Sequence, residues 1–245
     1  MAFGTEKTVY TGTRVDQAEF DAGLRAHMLR VYNYMVCGLL LTGILAVVVA
    51  QASVVTNDAG QIVALTSLGQ TLFGSPLKWV VMLAPLGLVF FLMARLHKMS
   101  YGAAQTTFWI YAALMGVSMA TVFMAFTGAS VARVFFITAG TFAGMSLWAY
   151  TTKKDLSGWG SFLFMGLIGI IIAMVVNIFL ESSALQFAIS VIGVLVFVGL
   201  TAYDTQAIKN EYAEHYDEET QGKLAISGAL RLYLDFINLF IMLLH

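Results

Sequence analysis

The stretch from Ile226 to His245, ISGALRLYLDFINLFIMLLH, is apolar and long enough to cross a bilayer, yet it carries Arg231 and Asp235 in its interior. A carboxylate near the middle of a membrane costs about 2.5–3.5 kcal/mol on insertion scales, so it faces protein or water and usually has a task. Of the fourteen Asp and Glu residues, only one other lies well inside an apolar run: Asp204, in GLTAYDTQAIKNEY. Five residues separate it from Lys209, which at about 1.5 Å per residue sets it roughly 7–8 Å below the interface that the lysine marks. Asp235 follows Lys223 by twelve residues. With the first turn or two after Lys223 in the headgroup region, both carboxylates reach a similar depth and can meet.

Two carboxylates within a few Å in a dry site cannot both ionise cheaply, so such a pair retains one proton and titrates as a unit at shifted apparent values. It would change charge as the surroundings acidify, which is the behaviour of a pH sensor. It is also a cluster of hard oxygen donors of the kind that Ca2+ prefers, so protons and calcium would compete for it. A plainer reading of the same residues stays open. Arg231 and Asp235 are four apart and share one helical stripe, so Asp235 can be an internal counter-ion, and Asp204 can be an interfacial residue at a helix end. Arg95 closes the second apolar run at the level expected for Asp204. A guanidinium there would hold one aspartate ionised and latch two helices, or it is an ordinary basic residue of the inner surface. Asn177 and Asn238 read as hydrogen-bond partners between helices. The acids Glu211, Glu214, Asp217, Glu218 and Glu219 read as a solvated loop or as a cation-gathering mouth.

Seven runs of about 20 residues are available to position these groups, at Tyr32–Ala52, Leu77–Ala94, Thr106–Phe126, Val131–Tyr150, Trp159–Leu180, Ala184–Ala207 and Ile226–Leu244. The chain of 245 residues is 59% hydrophobic and only 11% charged, against roughly 25% charged in a soluble domain. The absence of alternation every second residue excludes a membrane barrel. The fold class is therefore all-α and polytopic, in the lipid bilayer. A polar N-terminal tail (1–30) precedes one seven-helix domain (31–245), and small residues, among them the GxxxG pair Gly140 and Gly144, allow close helix packing. Ten of the thirteen Lys and Arg residues fall on the N-terminal tail and the three loops of the same side, which places the N-terminus in the cytoplasm.

Other classes of function are excluded on composition. A net charge of −1 offers no basic surface for nucleic acid. Cys37 is the sole cysteine and the four histidines lack ligand spacing, so neither a disulfide nor a zinc centre is expected. The LYLD of positions 232–235 departs from the GxGD of intramembrane aspartyl proteases, and Ser146 has no intramembrane histidine to pair with, so no enzyme and no cofactor are expected.

SVIGVLVFVGLTAYDTQAIK (190–209) taken with ALRLYLDFINLF (229–240) resembles the Bax inhibitor-1 family, more closely its bacterial YccA and YetJ branches. The resemblance implies six helices around a central seventh, and a pH-sensitive calcium leak governed by a di-aspartyl unit that matches Asp204 and Asp235. It implies a latch by an arginine at the end of the second helix, for which Arg95 is the nearest match, while Arg231 stands where an uncharged residue is frequent and would neutralise Asp235. Calcium is then the transported ion and protons the signal, in a monomer of the bacterial inner membrane. The YccA branch implies an alternative, a non-transporting substrate and restrainer of an FtsH-type membrane protease, gripped by its N-terminal tail.

Overall fold

A computed structural model describes residues 14–57 and 61–245, with side chains from Glu19 onward. Among the described residues seven helices are long and apolar enough to span a membrane: α1 (Arg14–Ser53), α2 (Leu77–Arg95), α3 (Tyr101–Ala125), α4 (Gly128–Thr151), α5 (Trp159–Leu180), α6 (Ser183–Glu211) and α7 (Glu218–Leu244). The molecule is an all-α polytopic membrane protein.

Side chains that satisfy the first free N–H groups of a helix set the sharp boundaries. Ser100 accepts from Ala103 N, Thr127 from Ser130 N and Ser182 from Leu185 N. The turn between α5 and α6 is two residues long because Glu181 adopts the left-handed conformation (φ 48°, ψ 33°), while Asn177 Oδ1 accepts from Ser182 N at 3.0 Å. Asn177 Nδ2 also donates to Gln186 Oε1 at 3.2 Å, so this amide fastens α5 to α6 as expected of it.

Two segments differ from the sequence expectation. α1 begins at Arg14, so much of the stretch read as a polar tail is helical, and Leu24, His27 and Met28 are buried. Hydropathy stops at the charges, whereas the backbone continues because nothing in RVDQAEFDAGLRAHMLR breaks a helix. The loop from Gln51 to Pro76 holds an antiparallel hairpin, β1 (Val54–Thr56) with β2 (Ile62–Leu65), followed by the helical turns Ser67–Gly69 and Gln70–Gly74.

α7 is the centre of the bundle. In its most apolar window 67% of residues are buried, against 11% for α5 and 39% for α6, and it packs against α6, α1, α4 and α3. The reason lies in its polar side chains, since Arg231, Asp235 and Asn238 leave no face that lipid would accept. Close approach falls elsewhere than at the expected GxxxG. Gly140 and Gly144 have open space beside them, whereas a Cβ on Gly116 would run into the backbone of Thr42, so the tight crossing is α1 on α3. The starts of α1 and α7 lie at one end of the bundle, joined by Arg30 and Glu218 at 2.9 Å.

Candidate functional site

Asp204 and Asp235 lie on adjacent, packed helices, their side chains near enough to interact electrostatically. Two carboxyl groups set side by side in a dry place cannot both ionise cheaply. Asp235 is 4% exposed, and its Oδ2 is buried with no hydrogen-bond partner. The Asp204 side chain retains 14% exposure, so it is the member of the pair nearer to water.

Arg231 completes the cluster in a way that its helical spacing conceals. Instead of pairing with Asp235 one turn along α7, it reaches across to α6: Nη1 lies 3.8 Å from Asp204 Oδ1, and Nη2 donates to Glu211 Oε2. Asp204 and Glu211 are seven residues apart, two turns on one face of α6, so a single guanidinium can span both. That spacing was the available signal for Glu211, which sequence reasoning left among the loop acids; the last turn of α6 carries it instead. Arg95, expected beside Asp204, is exposed at the end of α2 and has no ion pair among the described residues. The physical cause is that α2 packs on α3, away from α6.

The remaining acids of the α6–α7 connection are largely engaged. Glu218 pairs with Arg30, Glu219 with Lys223 at 3.4 Å, and the Thr220 hydroxyl beside Asp217 holds that carboxyl below the usual carboxylate range. His27 of α1 lies against Tyr212, ring centroids 5.5 Å apart, with Nε2 buried and unpartnered. Among the described residues no three His, Cys, Asp or Glu side chains converge as metal ligands. The acidic pair with its guanidinium lacks the six to eight oxygens of a resident calcium cage.

The neighbours of Asp204 in the YDTQAIK motif fix α6 in place. Gln206 Oε1 accepts from Leu156 N at 2.6 Å and its Nε2 donates to Lys154 O at 2.8 Å, clamping the α4–α5 loop. Lys209 donates to Tyr150 O at 2.9 Å, at the end of α4. Thr205 gives its only hydroxyl proton to Thr201 O at 2.7 Å, so it must accept from Ser146 at 2.8 Å, and Ser146 must in turn accept from Tyr32 at 2.5 Å. The order Tyr32, Ser146, Thr205, Thr201 is a directed chain of donors joining α1, α4 and α6. It ends on a backbone carbonyl and leaves Asp204 to Arg231 and Asp235.

Comparison with known proteins agrees with this architecture. The family model described as inhibitor of apoptosis-promoting Bax1 matches residues 24–245. The chain is 47% identical over 226 residues to the inner membrane protein YbhL of Escherichia coli strain K12, covering 91% of this chain and 92% of that one. It is 45% identical over 226 residues to a protein of Rickettsia prowazekii (92% and 90% covered), and 44% identical over 225 residues to one of Caulobacter vibrioides (91% and 88%). With a match of this extent, and with the acidic pair carried by the last two helices of a seven-helix bundle, the chain belongs to the Bax inhibitor-1 family.

Proposed function

We propose that the protein is a pH-sensitive pathway that lets Ca2+ pass down its gradient across the inner membrane, with Asp204 and Asp235 as proton sensor and ion-binding pair and Arg231 as the latch. The observation that carries this reading is the placement of two acids on packed helices, one of them buried, with a guanidinium held between Asp204 and Glu211. The N-terminus lies in the cytoplasm, because ten of thirteen Lys and Arg residues would then face inward. The relative YbhL, an inner membrane protein, supports the choice of membrane.

Protonation of Asp204 removes the charge that Arg231 faces there. The guanidinium is then held by Glu211 alone, α6 and α7 lose a cross-link, and the closed-to-open equilibrium shifts. A change worth about 1.4 kcal/mol moves such an equilibrium tenfold. Flux therefore rises on acidification. The calcium ion is cargo, met by carboxylate oxygens along its route and never caged by them.

The test is flux into liposomes loaded with a calcium dye, for wild type, Asp204→Asn and Asp235→Asn, from about pH 8 to about pH 5. Both variants are expected to lose the acid dependence. Flux with the wild-type pH profile in both would remove the mechanism.

A further inference from the structure

α1 and α4 are joined by the Tyr32–Ser146 hydrogen bond, and alongside it runs an open groove of about 1110 Å³. That volume stands at the upper end of the roughly 300–1,000 Å³ typical of ligand pockets. Phe236 and Phe240 of α7 form its floor. Its length runs from Arg25 to Val48 along α1, which at about 1.5 Å per residue is roughly 35 Å, the full hydrocarbon thickness and more.

Polarity along the groove is one-sided. At the end where α1 begins, the lining includes Arg25, Tyr32, Ser146 and Tyr150; beyond them it is apolar apart from Thr42, whose hydroxyl is already given to Ala112 O at 2.8 Å. Arg25 is exposed and, among the described residues, has no ion pair, whereas Arg30 one turn further is taken by Glu218. A second cation, Lys209 Nζ, sits 5.2 Å over the Tyr150 ring. Arg25 thus stands at the hydroxyl-bearing end of the groove, with Lys209 behind Tyr150 adding positive charge while donating to its carbonyl, and a hydrocarbon-lined trough continues from there. A groove with an anion site at one end and an apolar body matches one molecule abundant around it.

We propose that this groove is a binding site for an anionic glycerophospholipid, with the phosphate at Arg25 and an acyl chain laid along α1 and α4 over Phe236 and Phe240. The site shares Tyr32 and Ser146 with the donor chain that ends on α6, so an occupant bears on the helix that carries Asp204. Binding itself does not depend on whether calcium passes, and its test is read without flux.

The experiment is native mass spectrometry of the detergent-purified full chain, offered phosphatidylglycerol or phosphatidylethanolamine, for wild type, Arg25→Gln and Ala143→Trp. Ala143 is a small, exposed residue of the groove wall, and an indole there would fill the trough. Wild type is expected to retain one phosphatidylglycerol per chain with at least about tenfold preference over phosphatidylethanolamine, a difference in affinity that matches one charge-assisted contact. Arg25→Gln is expected to lower that preference to threefold or less while retaining lipid, and Ala143→Trp to release both lipids at an unchanged melting temperature. Equal retention of the two lipids by wild type, or an undiminished preference in Arg25→Gln, overturns the proposal. So does a stable dimer that Ala143→Trp dissociates, because the occupant is then a second copy of the chain. Should Ala143→Trp fail to fold, Arg25→Gln decides alone.

Discussion

Arg231 Nη1 stands 3.8 Å from Asp204 Oδ1 while Nη2 of the same guanidinium donates to Glu211. One cation on the central helix therefore ties two turns of α6. Removing it with Arg231→Gln leaves both acids without their cation and frees α6 from α7. Under the proposed function, flux at neutral pH rises by roughly tenfold, equivalent to about 1.4 kcal/mol, and its acid dependence flattens. Arg95→Gln, at an exposed position of α2, leaves the profile as in wild type. Dye-loaded liposomes report both; a neutral-pH flux unchanged in Arg231→Gln but raised in Arg95→Gln would move the latch to α2.

Gln206 is a structural clamp, and its loss is expected to show as stability alone. Gln206→Leu leaves the N–H of Leu156, a residue 1% exposed, and the carbonyl of Lys154 without their partners. Unsatisfied buried groups cost about 1–3 kcal/mol. Thermal unfolding in detergent is expected to register that loss, with the pH midpoint of flux unmoved. A shifted midpoint would show that the clamp takes part in sensing.

The donor chain makes a prediction about coupling. Ser146 serves two bonds, accepting from Tyr32 and donating to Thr205, whereas Tyr32 serves one. Hydrogen bonds between membrane helices average about 0.6 kcal/mol, so Tyr32→Phe is expected to cost about that and Ser146→Ala about twice as much. The double variant is expected to be no less stable than Ser146→Ala alone, since the Tyr32 bond is already gone. Additive losses in unfolding free energy would refute the bond between Tyr32 and Ser146.

Much of the fold is legible in the amino-acid sequence. Seven spans and the special standing of Asp204 and Asp235 follow from apolar length and from the cost of a carboxylate in hydrocarbon. What escaped was the pairing of Arg231 with Asp204 and Glu211. The four-residue spacing of Arg231 and Asp235 speaks only of one helix, while the pairing depends on how α6 is rotated against α7, and hydropathy carries no information on rotation. The hairpin at Val54–Leu65 escaped because strands of three and four residues are too short to display a period. The start of α1 escaped because apolar length registers where lipid ends, not where the helix does. Gly140 and Gly144 show the reverse error: a spacing suited to close packing had no helix opposite it.

The helical extension of α1 also sharpens the test between transport and protease regulation. A protease that grips an N-terminus needs chain it can pull, and Leu24, His27 and Met28 are already packed into the bundle. A deletion through residue 24 would thus remove a buried leucine together with the handle and confuse unfolding with loss of binding. Deleting residues 2–13 avoids this, because the helix begins at Arg14. The shortened chain is expected to keep its melting temperature and its acid-dependent flux. Co-purification with an FtsH-type protease, compared between the two chains, then reads the other activity separately. Association lost while flux persists assigns the N-terminus to regulation and the acidic pair to transport. Wild-type chain that binds the protease through these residues yet passes no calcium at any pH would leave Asp204, Asp235 and Arg231 as an internal brace of the bundle.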